Sequence, residues 1–98
     1  MATPAQNALI AAFNSLTNSG TKPALAPLLS RVKAIATAAP ARASADEAVV
    51  LANDLEAFAA VPGVSGVVSR LRALAVEFRQ VVRQQEAKQR MEQQRGGR

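Results

Sequence analysis

Asp46, Glu47, Asp54 and Glu56 are the carboxylates of residues 1–69, and with them any acid–base or metal chemistry in that part of the chain would have to be done. On a helix, Glu47 and Asp54 are seven residues apart and share a face, whereas Asp54 and Glu56 diverge. Two carboxylates on one helix make a sparse metal site. The chain has no Cys and no His, which removes disulfides, thiol nucleophiles, zinc centres and imidazole catalysis. No Ser stands in a nucleophile elbow beside a base, and no Gly-rich loop carries the Lys of a phosphate-binding turn. The residue inventory therefore reads as a non-enzyme, with no cofactor, no metal and no small-molecule substrate expected.

The cations are more informative once they are located. Residues 1–69 hold four cations and four anions and sum to zero, so the whole net charge of +5 sits in residues 70–98, together with six of the seven Gln. At about 100° per residue, Arg72, Arg79, Arg83 and Arg90 fall within about 20° of one line, a stripe roughly 27 Å long. That line lies more than a quarter-turn from the apolar seam of the same helix. Such a stripe can track phosphates, an acidic partner or anionic lipid heads. It can equally be a solvated face, with Glu86 and Arg90 as an i,i+4 pair. Lys88, Arg95 and Arg98 add weaker candidates; the terminal Arg95-Gly-Gly-Arg98 is a single RGG copy with no aromatic neighbour, where Gly ends a helix.

Val61-Pro-Gly-Val-Ser-Gly66 resembles the turn of the helix-hairpin-helix DNA-binding element, in which an apolar-Pro-Gly-apolar-Gly loop presents backbone amides to a phosphate. Phe58 and the small Ser69 stand where that pattern wants them. Ser65 replaces the second Gly, and Arg72 falls where an apolar residue should pack. The likeness spans under a sixth of the chain and identifies no family, but it marks Gly63, Ser65 and Gly66 as candidate phosphate contacts. A Pro-Gly stop followed by a new helix accounts for the same residues.

All long segments have helical spacing, and none alternates strictly between apolar and polar. Thr3 as N-cap and Pro4 at the first helical position open a helix over about 4–17, closed by Asn18-Ser19-Gly20. Pro23 and Pro27 place a lead-in turn before a second helix over 27–39 that Pro40 ends. Ser44-Ala-Asp-Glu47 reads as a capping box opening a third helix over 45–60, with Ala48, Leu51, Ala52, Leu55, Phe58 and Ala59 inward. A fourth covers 65–82, its seam Val67, Leu71, Leu74, Phe78 and Val81. Helix-favouring residues continue to Gln94, so residues 83–98 form a polar basic extension, frayed or ordered by a partner. If helical, residues 65–94 are about 45 Å long. The alanines at 34–39 and 57–60 offer small surfaces for close helix approach.

Of 48 apolar residues 22 are Ala, and there is no Trp or Tyr. The core is therefore thin, and a partner is a sensible complement to it. Nine Arg against three Lys with this much Ala suits a GC-rich coding sequence, as in bacteria and their phages. No segment reaches the ~18 apolar residues of a membrane span, and the first residues lack a secretory pattern. The expectation is an all-α, small antiparallel three- or four-helix bundle with a long, protruding C-terminal helix. It is expected to be cytoplasmic or inside an assembled particle. Its expected function is that of an interaction or structural module, an adaptor, accessory or virion-type assembly subunit, docking on a protein partner or on its own copy through the last helix. The alternative is a nucleic-acid-binding module using the Arg stripe and the Pro-Gly turn. Membrane binding is not expected, because the apolar face of the last helix has no Trp and ends before its most basic part.

Overall fold

The computed structural model describes residues 3–18 and 23–96, with side chains through residue 92 in the last helix. Four helices make up the fold: α1 (Pro4–Asn18), α2 (Ala26–Ala36), which is entered through a 3₁₀ turn at Pro23–Leu25, α3 (Arg42–Glu56) and α4 (Val64–Gly96). Pro27 sits in the first turn of α2, where its missing N–H costs nothing. The Ser19-Gly20 part of the expected stop after α1 lies outside the described residues.

Each helix packs on the next, and α1 also packs on α4, so the bundle closes as a ring without diagonal contacts. Neighbours run antiparallel. Ala5 meets Glu77 while Gly63 abuts Leu16, which sets α1 against α4; Glu56 meets Arg72 while Arg42 meets Glu86, which sets α3 against α4. The molecule measures 59 × 23 × 17 Å. Its length is that of α4, which at 33 residues spans about 50 Å.

The core follows the expected seams: Leu9 and Leu16 from α1, Leu29, Val32 and Ile35 from α2, Leu51 and Leu55 from α3, and Val67, Leu71, Leu74 and Phe78 from α4. Leu25 of the lead-in turn joins them. Ala36, Ala48 and Ala52 are buried as expected, and Ala45 and Ala75 join them. Ala45, Ala48, Ala52 and Ala75 are buried in the α3 and α4 faces of the core, and these two helices form the most extensive pair. Ala34, Ala39, Ala57, Ala59 and Ala60 are exposed.

Apart from one-residue shifts at the end of α1 (Asn18) and the start of α2 (Ala26), four boundaries differ from the sequence reading. Helix α2 stops at Ala36 rather than 39, because the Thr37 hydroxyl donates to the carbonyls of Lys33 and Ala34, each at 3.2 Å, and its amide turns back to Ala34. Helix α3 begins at Arg42, with extended Ala41 before it and no side-chain cap. The Ser44–Glu47 capping box does not form. Ser44 Oγ donates to the Ala39 carbonyl at 3.1 Å, and the Glu47 carboxylate is taken by Arg31 at 2.7 Å. Helix α3 ends at Glu56, where Phe58, Ala59 and Val61 donate to the carbonyls three residues back; this tighter winding turns Ala59 out to solvent. Helix α4 begins at Val64, one residue early.

The capping box of this chain is at α1 instead. Thr3 N–H donates to Gln6 Oε1 at 3.0 Å, and Gln6 N–H donates to Thr3 Oγ1 at 3.2 Å. The Ala5 amide donates to Glu77 Oε2 of α4 at 3.3 Å, so a carboxylate from another helix sits at the positive end of α1. Glu77 Oε1 is buried without a hydrogen bond.

Gly63 has φ +90, and a Cβ there would lie 3.2 Å from Leu16 Cδ1. Gly66, in the first turn of α4, has open space around it. The two glycines should therefore respond in opposite ways. Gly63→Ala is expected to lower stability by about 1–2 kcal/mol and the melting temperature by roughly 4–8 °C per kcal/mol. Gly66→Ala is expected to raise stability by about 0.5–1 kcal/mol. Thermal melts followed by circular dichroism would read both.

Candidate interaction site: the charged seam and the projecting helix

The two ends of α3 are tied to α4 by ion pairs. Glu56 pairs with Arg72, Asp46 with Arg79 at 3.2 Å, and Arg42 with Glu86. On the other side of α3, Arg31 of α2 bridges Glu47 at 2.7 Å and Asp54 at 3.3 Å. The hydrogen bond that Arg31 donates to Glu47 holds its guanidinium pKa above the ordinary value against the opposing effect of desolvation, helped by the charge of Glu47 and by the hydrogen bond to and charge of Asp54. Hence all four acids of α3 are engaged in ion pairs. Among the described residues no group of three acidic side chains could hold a metal ion.

This arrangement divides the arginine stripe. Arg72 and Arg79 are exposed but tied to α3, because a side chain about a quarter-turn off the core stands at the rim where the next helix packs. Arg83 and Arg90 are exposed and make no ion pair among the described residues. Glu86 pairs across to Arg42 instead of along the helix to Arg90. Such exposed pairs contribute about 0.2–1 kcal/mol each; their main effect is to set the register of α3 on α4.

Lys88 is exposed and has no ion pair among the described residues. Ser65 is exposed, and Gly63 and Gly66 line a shallow cleft with Ala8, Ala11, Ala12, Ser15 and Arg70 between α1 and α4. The turn at Gly63 packs on Leu16, and the Val64 amide donates within it to the Val61 carbonyl at 3.2 Å. The Arg95 side chain and Arg98 lie outside the described residues.

The last fully buried residue of α4 is Phe78, Val81 and Val82 are partly buried, and Glu86 makes the last ion pair to the bundle. Beyond it, residues 87–92 are all exposed and the helix continues to Gly96. The outward line of α4 runs through Ala73, Val76, Gln80, Gln84, Ala87 and Met91 and carries no charge. Val76 at 54% and Met91 at 61% exposure are two of the three large apolar side chains left in solvent among the described residues. The spacing of three and four along this line is present in the sequence, but its small and uncharged residues stand out less on a helical wheel than the arginines do. No helix is long and apolar enough to cross a membrane among the described residues.

Comparison with protein-family models, with curated proteins and with solved structures finds no match.

Proposed function

We propose that the protein is a non-catalytic helical interaction module that docks a protein partner, or a second copy, through α4, as an adaptor, accessory or assembly subunit would. The observation that carries this reading is the continuation of α4 past the bundle with no core beneath it. Short helices in water are marginal without tertiary packing. A segment of this kind gains its stability from a surface that covers it, and the uncharged line ending at Met91 offers the contact.

A chain ending at Ala87 keeps all buried residues and the last ion pair to the bundle. It is expected to melt at the same temperature as the full chain and to lose whatever assembly light scattering and affinity capture detect for the full chain. A full-length monomer that retains nothing would overturn the reading.

The nucleic-acid alternative draws support from Arg83 and Arg90, which make no ion pair among the described residues. With Arg72 and Arg79 already engaged, a duplex would meet about two free guanidiniums on the stripe. The log–log salt slope of any duplex binding is then expected near −2, against roughly −4 if all four arginines met phosphates. Fluorescence anisotropy at several salt concentrations distinguishes these values.

A further inference from the structure

Where α4 leaves the bundle, Arg42 and Asp46 from the start of α3 and Arg79, Val82 and Arg83 from α4 line a cleft of about 250 Å³. We propose that this cleft binds the terminal phosphate of a phosphomonoester. Three guanidiniums from two helices face one space. Glu86 engages Arg42, and Asp46 engages Arg79 at 3.2 Å. Arg83 has no carboxylate among the described residues, so three cations meet two anions and one positive charge is left over. The existing pairs are open to solvent, with Arg42 at 72% and Arg79 at 47% side-chain exposure, and their guanidiniums can turn to a ligand without unpacking the core.

Guanidinium is planar and donates in parallel pairs, which matches the oxygens of a phosphate. A monoester dianion has three free oxygens for three converging arginines and carries the charge to hold them. A phosphodiester chain offers one charge and two free oxygens per residue and needs a continuous row of cations. Here three guanidiniums converge on one space instead, and the next cation of the stripe, Arg90, lies about 10 Å beyond Arg83 along the helix. Asp46 is the opposing element. Its carboxylate positions Arg79 and repels an anion at once, so it sets the affinity low.

Asp46 also gives the site a signature that a purely structural ion-pair network lacks. In the full chain, inorganic phosphate at constant ionic strength is expected to shift the amide signals around Arg42, Arg79 and Arg83, saturating in the millimolar range. Arg83→Gln is expected to weaken binding roughly tenfold. Asp46→Asn, which frees Arg79 and removes the negative charge, is expected to tighten it about tenfold. Both positions are exposed, and unchanged far-ultraviolet spectra would establish that the variants fold. A phosphoserine peptide competing with phosphate identifies a partner-borne phosphate, while phosphate binding without peptide competition identifies a free one. The proposal is overturned if phosphate produces no shift beyond that of chloride at about 20 mM. It is overturned equally if Asp46→Asn weakens binding, or if an oligonucleotide without terminal phosphates occupies the same residues more tightly than phosphate. The site does not depend on α4 docking a partner, since its residues all precede Ala87.

Discussion

Replacing Phe78 with alanine is expected to destabilise the protein by about 3–5 kcal/mol, the largest effect of any single substitution considered. Phe78 is fully buried and is the largest of the fully buried side chains. It stands at the far end of the α4 seam, after Leu71 and Leu74 and before the partly buried Val81 and Val82, so little apolar bulk can shift in to fill the space it leaves. A domain of this size has roughly 5–15 kcal/mol in total, and alanine-rich cores belong towards the lower end. Urea denaturation should show the midpoint collapse toward low denaturant with an unchanged slope. A loss below about 1.5 kcal/mol would mean that the α4 seam is not the centre of the core.

Gln6→Ala is expected to cost about 2–3 kcal/mol, more than any change to the surface ion pairs. Gln6 is the one buried polar side chain among the described residues, at 4% exposure. Its Nε2 donates to the Ala38 carbonyl at 2.7 Å, its Oε1 accepts from Thr3, and its own amide completes the capping box. One side chain therefore closes the first turn of α1 and ties it to the loop between α2 and α3. Alanine leaves the Ala38 carbonyl and the Thr3 amide without their partners, and unmet buried groups are what make such changes expensive. Gln6→Glu separates the two roles. Glutamate retains the cap but turns an acceptor toward the Ala38 carbonyl, so this variant is expected to be at least as destabilised as alanine. If Gln6→Glu were neutral in urea unfolding, the tie to Ala38 would carry no weight.

These two residues also show what was legible in the sequence. Phe78 belongs to a run with 4,3 spacing, and apolar periodicity locates it and most of the core, while the prolines, glycines and polar caps between the runs mark out the helical segments. Gln6 fits the Thr-x-x-Gln capping template just as Ser44 and Glu47 fit the Ser-x-x-Glu one. Local pattern cannot rank them, because the outcome depends on what else competes for the glutamate. Arg31, 16 residues from Glu47, takes its carboxylate, and that proximity exists only after α2 and α3 have packed. The arginine stripe failed to stay whole for the same reason. A helical wheel gives the angle of Arg72 and Arg79 from the seam of their own helix, but not where the acids of α3 will stand. The cleft of Arg42, Arg79 and Arg83 joins residues of two helices and has no trace in either one.

The ring of contacts also orders events in time. The pairs of α3 with α4 link residues 16 to 44 apart, so this hairpin can close as soon as α4 has been made. The contact between Ala5 and Glu77 spans 72 residues. At about 5–20 residues per second of synthesis, α1 waits roughly 4–14 s for the helix that covers it. It has no charged residue to keep it soluble during that interval, and its apolar positions include Leu9, Ile10, Phe13 and Leu16. The earliest made of these four helices therefore completes its packing only when α4 arrives, and those seconds are when its apolar face is most exposed to aggregation.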